Sequence, residues 1–244
     1  MTIIRGVRAQ LRRRLLITYR VEPEVASSLL PTGFRPQIVD GSAVAGVCVL
    51  GLESIRPNWA RGRWGLRSEN AAHRVAVEWD TEDDVQRGVF IVGRHSSAWH
   101  PVIFGGRLFP GVHRRARFEI EEGDGRYAVT MDAGEHSLCA DVEVGGAWSS
   151  SLFASIDEAS DFYRAGRLGW SAARGGLGVE SVALTTDAWR VENAHLHSVS
   201  SSFFDALPAG SAVFDGVVVM RDLPLTLSDV RESRIDAVLS PAGT

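Results

Sequence analysis

The chain has no lysine: all 26 of its basic residues are arginines, in a total of 244. A GC-rich genome that drifts from Lys to Arg on protein surfaces is an ordinary source of such a bias. Whatever its source, the absence excludes every mechanism that needs a lysine amine, such as a Schiff base, pyridoxal phosphate anchoring or a phosphate-loop lysine. Cysteine is nearly absent as well. Cys48 and Cys139 are the only two, and their separation reads as buried or free thiols of a reducing compartment. Long apolar runs are missing. The longest, Ala43 to Leu52, contains two glycines and is about half of what a bilayer span requires.

No excess of either charge is present. A net charge of −4 and a pI near 6.0 give no general reason to expect nucleic acid or an anionic membrane as partner. Arg5, Arg8, Arg12, Arg13, Arg14 and Arg20 all precede the first acid, Glu22, and read as a solvated edge rather than a binding arm. No apolar stretch follows this charged start. Together these features predict a cytoplasmic protein.

What is present is strand periodicity. Leu15 to Tyr19, Val44 to Leu52, His73 to Trp79 and Gly88 to Val92 read as strands, the third with polar and apolar residues alternating. Arg114 to Ile120 and Arg126 to Met131 flank Glu121-Glu122-Gly123-Asp124-Gly125, a hairpin signal. Leu138 to Val144, Val179 to Trp189, Ala194 to Val199 and Ala212 to Met220 supply further strands. Helices are expected at Pro23 to Leu30, at Ser96 to Phe104 with an interruption at Pro101, and at Ile156 to Tyr163. The tail from Ser228 to Thr244 is polar and expected to fray. The pattern predicts a mainly β (α+β) fold with few peripheral short helices, less than a quarter of the chain being helical. Its antiparallel sheet must curl strongly or close at this strand count. One domain over residues 1–244 is expected, with a core of about 12–221.

Two segments carry a resemblance. Leu15-Leu16-Ile17-Thr18-Tyr19-Arg20-Val21-Glu22-Pro23-Glu24 with Leu29-Leu30-Pro31, and Val92-Gly93-Arg94-His95-Ser96-Ser97-Ala98-Trp99-His100-Pro101, are similar to segments of the acetoacetate decarboxylase superfamily. The nearest part of that superfamily is the uncharacterised YqjF-like branch. Gly106 to His113, Trp189 to Glu192 and Ser201 to Asp205 resemble further segments of that branch. The resemblance implies a cone-like closed sheet with a pocket inside. It also implies a carboxylate-binding arginine at Arg12 or its neighbours Arg13 and Arg14. The superfamily's Schiff-base lysine falls near Pro101 or at Gly111, neither of which has an amine. Decarboxylation through an imine is therefore excluded.

Arg94, His95, His100, Arg107 and His113 lie within twenty residues of one another. Arginine holds a carboxylate bidentately, and histidine moves protons near neutral pH. The candidate site is therefore His100 and His113 for proton transfer, and Arg12, Arg94, Arg107 and Trp99 for substrate binding. The segment Ser96 to Gly111 is expected near the pocket mouth. His195 and His197 are spaced to share a strand face, but without a third ligand they read as polar surface rather than a metal site. Ser200-Ser201-Ser202 reads as a turn capping a short helix, with Asp205 as a cap, and Gly175-Gly176 as a hairpin turn. No metal or cofactor is expected. The expected partner is a small carboxylate or carbonyl compound, and a homo-oligomer is compatible with the sequence. The function is that of a small-molecule pocket protein: a lysine-independent lyase, isomerase or cyclase, or alternatively a non-catalytic binding protein.

Overall fold

The computed structural model describes residues 6–62, 65–98, 112–173 and 178–229. The chain runs through β1 (Gly6–Val21), α1 (Pro23–Ser28), β2 (Arg35–Pro36), β3 (Ile38–Val39), β4 (Ser42–Pro57), β5 (Leu66–Asp80) and β6 (Val85–Ser96). It continues through β7 (His113–Arg115), β8 (Arg117–Gly123), β9 (Arg126–Asp132), β10 (Ser137–Val144), α2 (Ile156–Ala165) and β11 (Leu168–Ala172). The last elements are β12 (Val179–Thr185), β13 (Glu192–Ser201), α3 (Ser202–Asp205) and β14 (Ala212–Asp229).

Seven strands close on themselves in the order β1-β4-β5-β6-β11-β12-β14, and β14 returns to pair with β1 over nearly its whole length. The sheet is mixed, because β6 pairs in parallel with both β11 and β7. Helix accounts for 10% of the described residues, below the expected quarter. The four strands β13-β10-β9-β8 extend from β14 as an antiparallel sheet. Val218 and Val219 in the middle of β14 pair with β13 and its C-terminal end pairs with β12, so one strand serves both layers.

Alternation along the closed strands builds two apolar clusters. Leu15, Ile17, Val47, Val49, Val75 and Val77 join Val129, Met131, Leu138 and Val142 of the four-stranded sheet. Leu16, Val44, Cys48, Ala76, Val218 and Met220 face the other way, into the lumen. There they meet Ala159 and Tyr163 of α2, which are four residues apart and share one helix face. Helix α2 begins at Ser155, whose Oγ accepts from the Glu158 N–H at 3.2 Å, and Asp157 and Glu158 favour its N-terminus. The Tyr163 hydroxyl meets Thr18 Oγ1 at 2.6 Å inside the barrel. Among the described residues, no helix is long and apolar enough to cross a membrane.

Several expectations need correction. The strands extend well beyond the apolar runs that signal them, and β1, β4 and β14 reach 16, 16 and 18 residues. Ser228 lies in β14, so pairing continues where fraying is expected. Ser96 ends β6 and Ser97 is a bend, so no helix starts there. Strand β12 stops at Thr185, short of Trp189. Helix α3 exists, but Ser201 makes no side-chain cap and Asp205 is its last residue. The Asp124-Gly125 turn forms as expected, both residues having positive φ (51° and 82°). Gly175-Gly176 lies outside the described residues.

Candidate functional site

The lumen of the barrel holds a cavity of about 110 Å³. Its lining follows from register. Cys48 of β4 pairs with Ala72 of β5, and Ala72 pairs with Arg94 of β6, so the three form a row across the lumen face. Arg74 lies two residues along β5 on the same face, and Arg14 enters from β1. Among the described residues, Arg14, Arg74, Arg94 and Arg167 line this cavity and no aspartate or glutamate does.

The first three arginines are 6%, 8% and 8% exposed. A buried guanidinium needs hydrogen bonds and a counter-charge to offset its lost hydration. Their surroundings supply little of either. Arg14 donates Nε–H to Cys48 Sγ at 3.3 Å and Nη1–H to Met220 Sδ at 3.8 Å, and sulfur is a weak acceptor. Arg74 lies over the Tyr163 ring, 5.6 Å from its centroid. Burial pushes Arg74 below its ordinary range, with the Arg14 charge adding to that. Nε and Nη2 of Arg94 are buried with no hydrogen-bond partner among the described residues. Burial lowers Arg94 to about 10 against a smaller opposing pull from Glu180, so it stays cationic at neutral pH.

Arg12, Arg13 and Arg14, the three places for the resemblance-implied arginine, have different surroundings. Arg12 is half exposed and pairs with Glu122. Arg13 is 1% exposed, on the opposite face from Arg14, and bridges Glu69 of β5 and Glu122 of β8. Its slot exists because residue 51 is glycine: a Cβ there would sit 2.4 Å from Arg13 Nη1. Arg14 alone of the three reaches the cavity. The solvated-edge reading thus fails for Arg13 and Arg14, because strand alternation turns both into packed layers.

Arg94 and His113 are register partners on β6 and β7, and both line the cavity. Trp99, His100 and Arg107 lie outside the described residues.

The sequence gives no direct sign of a second feature. His73, His95 and His136 form a triangle with ring centroids 5.4 to 5.7 Å apart, and Phe203 stacks on His73 at 4.6 Å. Burial lowers His73 to about 3, with His95 and His136 reinforcing the effect. Burial likewise lowers His95 to about 4, aided by His136 and Arg114. Both rings are therefore neutral at pH 7. His95 also borders the cavity through β6, while its ring turns to the triangle on the face opposite Arg94. No group of three or more His, Cys, Asp or Glu among the described residues is placed to hold a metal. His195 and His197 do share a face, and His197 Nε2 pairs with Glu143 at 2.7 Å.

Arg74, Arg167 and Cys48 are lining groups that sequence reasoning misses. Arg74 interrupts an apolar face on a long strand, and that interruption is the signal that could have found it, whereas Cys48 lies unmarked within the apolar run Ala43 to Leu52.

No curated protein is significantly similar in sequence. Among solved structures, the acetoacetate decarboxylase of Legionella pneumophila superposes with a TM-score of 0.59 at 13% identity, covering 92% of this chain and 87% of that one. The enduracididine biosynthesis enzyme MppR complexed with pyruvate gives 0.56 at 13% identity, covering 93% and 89%. An acetoacetate decarboxylase-like enzyme from Sphingomonas wittichii gives 0.54 at 12% identity, covering 93% and 92%. At these identities the likeness shows the fold, which is acetoacetate decarboxylase-like. The model of one family, DUF2071, an uncharacterized conserved protein (COG2071), matches residues 8–214. The chain belongs to that family.

Proposed function

We propose that the barrel lumen binds a small carboxylate, most suitably a keto acid, and acts on it by arginine electrostatics and histidine proton transfer. The observation that carries this reading is the convergence of buried Arg14, Arg74 and Arg94 on one cavity whose described lining has no acid. An anion supplies counter-charge to a cluster in which Glu180 acts only on Arg94, and arginine engages a carboxylate through two parallel N–H donors. MppR, a protein of the same fold at 13% identity, has been obtained complexed with pyruvate, a ligand of this class.

The roles follow from the groups present. Arg94 and Arg14 hold the carboxylate, Arg74 faces charge that develops on a carbonyl oxygen, and His113 exchanges protons. Arg12 has its carboxylate in Glu122, which leaves Arg14 as the better bearer of the implied role. Trp99, His100 and Arg107 stay in the proposal as a wall, a proton-transfer and a carboxylate-binding group respectively. Catalysis of this kind needs no lysine, consistent with a chain that has none. Lyase, isomerase or cyclase chemistry fits. Binding without turnover is the alternative, favoured by the apolar remainder of the wall, including Leu50, Leu52, Leu225 and Leu227.

The test is a calorimetric screen of small carboxylates and matched neutral amides against wild type, Arg94→Met and Arg107→Ala, with proton NMR of each mixture to detect turnover. Carboxylates should bind, the amides should not, and Arg94→Met should weaken binding about 10- to 100-fold, the worth of one charged hydrogen bond. Equal binding of acids and amides would overturn the reading.

A further inference from the structure

We propose that Cys48 is a covalent contact of this cavity, its sulfur adding reversibly to the carbonyl carbon of a small α-keto acid held by the surrounding arginines. The inference rests on the anion-binding reading above and adds a bond to it. Cys48 is a cavity-lining nucleophile 4% exposed, in a chain without the amine that would otherwise attack a carbonyl.

Three relationships place a keto acid against it. Cys48 and Arg94 flank Ala72 in register, so their backbones are about 10 Å apart, two strand spacings. Both side chains line the same cavity of about 110 Å³, and the acid would sit between guanidinium and sulfur. Arg94 offers Nε and Nη2 without a partner among the described residues and is more than nine-tenths buried. On the other side of the sulfur, Arg14 donates Nε–H to it at 3.3 Å, and Arg74 lies close enough to interact electrostatically with both.

The step balances without any other reagent. The S–H adds across the C=O: the C–S bond forms, the carbonyl π pair moves to oxygen, and the thiol proton ends on that oxygen. The product is a hemithioketal, with no change in oxidation state and no leaving group. Its developing oxygen charge faces Arg74 and Arg14, and reversal returns the free keto acid.

Cys139 provides a reference thiol in the same chain. It is free and exposed on β10, with Thr130 Oγ1 at 3.9 Å, and does not line the cavity. The full-length protein is treated separately with 3-bromopyruvate, an anionic keto-acid alkylator that loses bromide to the thiol, and with neutral iodoacetamide. Both cysteine peptides are then followed by mass spectrometry. Bromopyruvate should label Cys48 with saturation, at a rate relative to iodoacetamide at least about tenfold above the same ratio at Cys139. Excess pyruvate should protect Cys48 alone. A 2-13C-pyruvate NMR titration should show, besides the signal of the free hydrate, a protein-bound tetrahedral carbon signal in wild type that is absent in Cys48→Ser.

Cys48→Ser that still binds pyruvate by calorimetry, in a wild type showing neither selective labelling nor the tetrahedral signal, overturns the covalent role and leaves the anion site standing. Selective labelling without the tetrahedral signal also overturns it, because the thiol then lies beside the ligand without adding to it. Absence of pyruvate binding in both proteins overturns the two readings together. A melting curve of Cys48→Ser matching wild type establishes that these comparisons concern folded protein.

Discussion

Arg13 and Arg14 are adjacent in sequence, yet one is neutralised and the other is not. Arg13 faces the outer layer, where Glu69 and Glu122 hold it, while Arg14 faces the lumen and meets the sulfurs of Cys48 and Met220. Period-two alternation alone separates a structural ion pair from a cavity-lining group.

That separation predicts opposite mutant behaviour. Arg13→Met should cost about 3 kcal/mol, since it strips partly buried Glu69 of its ion-pair partner and leaves Glu122 to Arg12 alone. Arg14→Met should leave stability unchanged or raise it, while weakening carboxylate binding. Urea denaturation and calorimetry on the two variants read the two effects separately.

Acid should destabilise the protein through His73 and His95. Both are depressed in the fold, to about 3 and about 4, from 6.5. Between those values the unfolded chain binds more protons, so stability falls as pH drops. Their contribution is fully present above pH 6.5 and is lost progressively down to about pH 4 and 3. Each ring adds up to about 1.4 kcal/mol per pH unit. The slope of unfolding free energy between pH 6.5 and 4.5 should be visibly shallower in His73→Phe, and an unchanged slope would contradict this assignment.

Much of the fold is legible in the alternation of β1, β5, β9 and β10, and in the Asp124-Gly125 turn. Closure is less so, because β14 pairs with β1 from the far end of the chain and no local pattern encodes that distance. The site is half legible. Arg94 and His113 stand out as polar groups in a short segment, whereas Arg74 and Cys48 sit inside strands whose two faces are both buried. There the alternation cannot say which face is lumen. The histidine triangle joins β5, β6 and the β9–β10 turn, a purely tertiary meeting.

Helix α2 closes the lumen through one buried hydroxyl pair, Thr18 and Tyr163. Tyr163→Phe should cost about 1 to 2 kcal/mol, the price of leaving Thr18 unsatisfied, and should raise the rate at which iodoacetamide reaches Cys48. Thermal melts and alkylation kinetics measure these together. A faster melt without faster alkylation would mean that α2 does not control access.

Borohydride reduction in the presence of pyruvate or acetoacetate should give no adduct at any internal residue, because the chain has no lysine to form an imine. Intact-mass measurement followed by peptide mapping decides this. An internal adduct would contradict the exclusion of imine chemistry.

The central claim is that an anion completes the arginine-lined lumen. The most direct test is a crystal structure of the protein with pyruvate. The account predicts a carboxylate inside the barrel, within hydrogen-bond distance of the Arg94 guanidinium and of Arg14 or Arg74. Pyruvate confined to the outer surface at saturating concentration, with the lumen empty, would contradict it.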